Sequence, residues 1–364
     1  MGMNRSEEDL DHHEVVWGDE GQDNEDFIKG LHVFVAYIAP CFYIQGIIGN
    51  IFVLFVFLKS RSYRTREVVD YLIPLSIVDL IFLIFFALLT WLHLDVPNAI
   101  FSEGEKSYTD IFSTSARCKG ISYVGLCGAF WASWTIVLFT WERMVLVWRE
   151  KVVMSRKLRY ILLGVIFMVG LLSMICVLVA YDIDDDGHSV ECWYALDREE
   201  GGLLSYLGPF LIHCAVYTLP MILVWIGNAI IVCKLCRGDK STDEEYLNRR
   251  KKERKVAYQL VAISALFLFF TTPYSILDCW GHVLLYKIDI LGEHEYALKF
   301  TSTVFALHDF LLRFVFLNNC FNYLIYIISL DWFRAEVRAM FGCKKQQEKY
   351  NMTVEPSKTE VTQF

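Results

Sequence analysis

Seven stretches of this chain, at roughly residues 31–58, 70–94, 120–140, 160–181, 202–233, 256–277 and 300–330, carry little or no charge, and each is long enough to cross a bilayer. Crossing the ~30 Å hydrocarbon core takes about 20 apolar residues in a helix. In lipid the backbone finds no water, so a run of this length satisfies its N–H and C=O groups by coiling into a helix. The connections then sort by charge. Lys59, Arg61, Arg64 and Arg66 follow the first run, Arg149, Lys151, Arg156, Lys157 and Arg159 follow the third, and Arg249, Arg250, Lys251, Lys252, Arg254 and Lys255 precede the sixth. The alternate connections are acidic, with eight acids against Arg198 between Asp182 and Glu200. An excess of Lys and Arg marks the cytoplasmic side. The pattern predicts a multi-pass protein of the plasma membrane with its N-terminus outside and its C-terminus inside.

Composition agrees: with 55% hydrophobic and 15% aromatic residues in 364, the chain is too apolar for one soluble domain. Its net charge of -8 belongs to the tail, because residues 1–26 hold ten acids and Arg5, leaving 32 acids against 33 bases elsewhere. The expected fold is all-α and membrane-embedded: a disordered acidic extracellular tail over 1–30, seven transmembrane helices over 31–330, a short amphipathic eighth helix over 331–343, and a disordered cytoplasmic tail over 344–364. The sequence shows no catalytic or metal constellation for an enzyme, and nothing in it calls for nucleic acid.

Several residues stand out against this apolar background. Asp79 puts a carboxylate, and Asn50 an amide, inside spanning runs, where ionisable groups are costly and by default functional; interhelical hydrogen bonding is the plainer role for both. Asp309 and Arg313 lie one helical turn apart in the seventh run, and i,i+4 charges of this kind often satisfy each other. Cys233 and Cys236 form a Cys-x-x-Cys without a second pair, which reads as packing. Asn4-Arg5-Ser6 is a glycosylation sequon on the predicted outer side. Residues 331–341 place apolar side chains at helical spacing beside two arginines, as in a helix lying on the inner leaflet. Cys343, next to Lys344 and Lys345, suits palmitoylation. The terminal Thr362-Gln363-Phe364 fits a PDZ-domain ligand. The alternation around Cys192, with Gly187 as a turn, reads as a short hairpin.

In chain order, Gly49-Asn50, Leu75-Ser76-Ile77-Val78-Asp79, Cys118 with Glu142-Arg143 after it, Cys192, Pro220, Phe267 with Pro273, and Asn322 with Tyr326 form a set that resembles the rhodopsin class of G-protein-coupled receptors. The resemblance covers residues 31–343. It departs from the class in five places, the first being a fourth run that lacks the tryptophan usual there. Met144 replaces the aromatic of the third-helix triplet, Phe270-Thr271-Thr272-Pro273 replaces Cys-Trp-x-Pro, Asn228 stands where the fifth helix has tyrosine, and Tyr323 replaces the proline of Asn-Pro-x-x-Tyr. The Asn-aromatic-x-x-Tyr form looks like invertebrate receptors for FMRFamide-type neuropeptides.

The resemblance implies a disulfide between Cys118 and Cys192, the two cysteines placed at the oxidising outer face. It implies a switch in which Glu142, Arg143, Glu253, Asn322 and Tyr326 take part, with Arg143 paired to Glu253 when inactive. It implies a polar core of Asn50, Asp79, Asn318 and Asn322 able to hold sodium. The expected partners are an extracellular peptide, a heterotrimeric G protein, arrestin, a PDZ protein at the C-terminus, and membrane lipid. Gly125 occupies the position of the aspartate that amine receptors use, which argues against a monoamine. Asp278, Asp309, Arg313 and Trp193 are the candidate ligand contacts, and the acidic outer mouth favours a cationic peptide. Two alternatives stay open: a receptor of the same class for a lipid or neutral small molecule, and a seven-helix ion or proton carrier.

Overall fold

The computed structural model describes residues 8–59, 68–92, 96, 114–149, 154–185, 190–194, 203–236, 261–262, 264–282 and 294–340. The helices are α1 (Glu8–Lys59), α2 (Val69–Thr90), α3 (Ser115–Arg149), α4 (Arg156–Ala180), α5 (Leu203–His213 continuing through Leu219–Cys236), α6 (264–282), α7 (His294–Ser329) and α8 (Asp331–Met340). Six of them are long and apolar enough to cross a membrane. The expected sixth span, 256–277, is described only in part, and α6 extends beyond it to residue 282.

Lipid replaces water around such a bundle, so its outer surface is apolar. Ile48, Leu58, Val179, Leu211 and Ile328 are all exposed, and α4 presents most of its length outward. Inside, α1 packs on α2 and α7, while α3 lies against α2, α4 and α5 and so forms the centre of the bundle. An aromatic layer formed by Phe82, Phe86 and Phe316 ties α2 to α7, with ring centroids 5.1 and 5.5 Å apart.

Small residues let helices approach at two places that matter below. A side chain at Gly49 would collide with the ring of Tyr323, whose hydroxyl accepts a hydrogen bond from Gln45 Nε2 at 2.8 Å. The tyrosine that replaces the expected proline therefore packs flat on α1. A side chain at Gly125 would run into the Phe86 ring, so the position at which an amine-binding aspartate was sought is filled from α2.

The tail differs from expectation. The described part of α1 runs from Glu8, so residues 8–30, expected as a disordered tail, are helical there. No proline interrupts the chain before Pro40. In α5 a π-helical turn, Cys214–Thr218, lies just before Pro220. Proline cannot donate a hydrogen bond and its ring crowds the carbonyl four residues back, so the expected bend takes the form of a widened turn.

The one β structure among the described residues is an antiparallel hairpin, β1 (Tyr181–Asp185) and β2 (Val190–Tyr194), pairing Ile183 with Cys192 and Asp182 with Trp193. It follows α4 directly and packs against α3. At the other end α8 turns off α7 at Leu330. Phe333, fully buried, meets Phe57 and Phe52 of α1, and Arg334 Nη1 donates to the carbonyl of Ile327 at 3.0 Å, capping α7.

Candidate functional site

Three polar clusters interrupt the apolar interior. At the hairpin end, Asp278 of α6 is buried, and its Oδ1 lies 2.9 Å from His213 Nδ1 of α5 and 3.0 Å from His308 Nε2 of α7. His282, one turn along α6, places Nε2 at 3.7 Å from the same oxygen. Tyr274 brings its hydroxyl to 3.0 Å from His213 Nδ1. Asp278 Oδ2 is buried with no hydrogen-bond partner among the described residues. The sequence picked out Asp278 but not its three histidines, which count as uncharged and so vanish into apolar runs. Of the next two candidates, Asp309 is exposed, with Oδ1 3.7 Å from His308 Nδ1, and Arg313 is buried with its guanidinium 5.6 Å from the Phe316 ring centre.

In the middle of the bundle Asn322 Nδ2 donates to Asp79 Oδ2 at 2.8 Å, bringing α2 and α7 together. Asn50 turns elsewhere, donating to the carbonyls of Gly46 and Asn319, each at 3.0 Å. Asp79 Oδ1, Ser76 Oγ, the Oδ1 atoms of Asn50, Asn318, Asn319 and Asn322, and the Tyr326 hydroxyl are all buried without a hydrogen-bond partner among the described residues. So many oxygens facing inward would be costly if nothing answered them, and they suit a hard cation or water.

At the opposite end Glu142 meets a base carried by another helix. Arg159 of α4, almost wholly buried, donates Nη2 to Glu142 Oε1 at 2.8 Å and Nη1 to Asp70 Oδ2 of α2 at 2.6 Å. Tyr160 and Arg156 also reach Asp70, at 3.0 and 3.2 Å, and the Met154 carbonyl accepts from Arg159 Nη2. Arg143 is buried too, its guanidinium 5.7 Å from the Phe139 ring centre. Between these clusters Ser264 of α6 donates to Asn228 Oδ1 of α5 at 2.9 Å, so the residue in the tyrosine position links the two helices directly. Thr271, where the class has tryptophan, is fully buried, and Phe270 stacks on Phe321 of α7.

Cys118 is disulfide-bonded, and the hairpin carrying Cys192 packs on the same helix. The side chains of Cys192 and Trp193 lie outside the described part of the structure, as do Asn4, Glu253, Cys343 and the C-terminal tail.

The known proteins similar to this chain are receptors. It is 24% identical to the thyrotropin-releasing hormone receptor of Gallus gallus, over 84% of this chain and 77% of that one. It is 20% identical to galanin receptor 2a of Danio rerio, over 90% and 84%, and 22% identical to the D(1C) dopamine receptor of Xenopus laevis, over 86% and 69%. None of these is an enzyme. The family described as 7 transmembrane receptor (rhodopsin family) matches residues 49–326, from Gly49 beside the polar core to Tyr326 at its far side, and the chain belongs to that family.

Proposed function

We propose that the chain is a receptor for an extracellular peptide with a cationic group, read at Asp278 and passed to a heterotrimeric G protein. The observation that carries this reading is Asp278 itself: a buried carboxylate between α5, α6 and α7, with Oδ2 free to accept. An arginine of the ligand would add a charge-assisted hydrogen bond there. Two of the relatives are named for peptide ligands, thyrotropin-releasing hormone and galanin, and the Phe86 ring at Gly125 leaves no space for an amine-binding acid. The test is Asp278→Lys with an Arg-containing amidated peptide as agonist and G-protein dissociation as readout. Potency should fall by more than about 100-fold, the loss of a buried charge pair. Unchanged potency, or an Arg→Ala peptide equally potent on the parent, removes Asp278 from ligand reading.

The same proposal takes Cys192 as the partner of Cys118, and the Arg143 to Glu253 pair as the restraint of the inactive state. Glu253→Ala should then raise ligand-free nucleotide exchange at equal surface expression. Asp79, Asn50, Asn318 and Asn322, with Ser76 beside them, would hold sodium, which when bound supplies a positive charge opposite Asp79; their unanswered buried oxygens fit that ion. Arrestin, a PDZ protein at Phe364, palmitoylation at Cys343 and glycosylation at Asn4 belong to this reading as partners and modifications.

A further inference from the structure

Asp278 does not sit among ordinary hydrogen-bond partners. Three imidazoles from three helices converge on one carboxylate. Ligand atoms from His213, Asp278 and His308 all lie within 4.8 Å of one another. A single acid needs at most one protonated imidazole for charge balance, and His213 Nδ1 can carry only one proton. Yet that nitrogen faces both Asp278 Oδ1 at 2.9 Å and the Tyr274 hydroxyl at 3.0 Å.

We propose that His213, Asp278 and His308 form a site for one zinc ion that ties α5, α6 and α7 together at the hairpin end of the bundle. Two neutral imidazole nitrogens and a carboxylate oxygen make the donor set of an exchangeable zinc site, in which three protein ligands leave a fourth position for water or a ligand atom. With metal–ligand bonds of about 2.0–2.2 Å, the edges of a tetrahedron are roughly 3.4 Å. The two edges from Asp278 measure 2.9 and 3.0 Å, so small side-chain rotations open the triangle to accept the ion. His282 stands beside it, with Nε2 3.7 Å from Asp278 Oδ1, as a second source of the fourth bond. Hard cations are poorly served by imidazole, which separates this site from the all-oxygen cluster around Asp79. The inference rests on this geometry and holds whatever the class of the receptor's natural ligand.

The experiment uses the purified full-length receptor in nanodiscs, titrated with zinc chloride alone, with the thermal unfolding midpoint as readout and zinc X-ray absorption for the shell. Zinc should raise the midpoint saturably, with a nitrogen and oxygen shell at about 2.0–2.2 Å, whereas magnesium should not. His213→Ala and His308→Ala should each raise the half-saturating zinc concentration by more than about 100-fold, beyond the loss typical of outer-shell groups. His308→Gln, which keeps an amide donor for Asp278 but is a poor zinc ligand, should lose zinc binding as His308→Ala does. No zinc-dependent shift up to about 1 mM, the limit of weak binding, overturns the site. So does a shift that survives both alanine variants, or one that survives His308→Gln.

Discussion

Arg159 grips Glu142 through two contacts, Nη2 to Oε1 at 2.8 Å and Nε to Oε2 at 3.4 Å, and with its remaining nitrogen holds Asp70 at 2.6 Å. One guanidinium thus joins α2, α3 and α4. All three charged groups are buried, so none can be removed cheaply. Arg159→Met takes away the counter-charge that Glu142 and Asp70 share and leaves Asp70 to Arg156 and Tyr160, a change that costs roughly 3–5 kcal/mol when one partner of a buried pair is lost. The thermal midpoint of the purified receptor should fall sharply, and much less for Arg159→Lys. A variant as stable as the parent would show that the network contributes nothing to the fold.

The contact of Tyr323 with Gly49 predicts a paired effect. Gly49→Ala should destabilise by roughly 1–3 kcal/mol, the range for an overpacked interior. Adding Tyr323→Ala should recover part of that loss, because the two residues occupy the same space. Strictly additive effects in a double-mutant cycle would place them out of contact.

Ser264 and Asn228 form a hydrogen bond between α5 and α6. Removing the donor in Ser264→Ala leaves Asn228 Oδ1 buried and unanswered, at a cost of about 1–3 kcal/mol. With that tie lost, α6 separates more easily from α5, and ligand-free nucleotide exchange should rise. Basal exchange equal to the parent at matched surface expression would argue that the bond is not part of the switch.

Asp79 carries the sodium expectation. Raising sodium should lower agonist affinity in the parent, and Asp79→Asn should abolish that dependence while keeping the contact with Asn322 Nδ2, which an amide oxygen can also accept. A parent indifferent to sodium defeats the ion while leaving the hydrogen bond intact.

What the sequence determined by itself is what a bilayer imposes on any chain. Helix length, the placing of spans and the sorting of loop charge follow from hydrocarbon thickness and the cost of unpaired backbone groups, which act locally and leave a linear record. The ordered marks from Asn50 to Tyr326 added the family. Tertiary structure decided the partners. Asp79 meets Asn322, Asn50 bonds to the Asn319 carbonyl, and Glu142 goes to Arg159, a residue that reads as one more loop base just before the fourth run. The helical segment over residues 8–30 was missed because acidic composition resembles disorder. The histidines around Asp278 were missed for a different reason. Each lies alone in its own stretch of sequence, neutral by count, and becomes a site only when helix packing carries His213, His282 and His308 to the same carboxylate, an arrangement set by contacts between helices far apart in the chain.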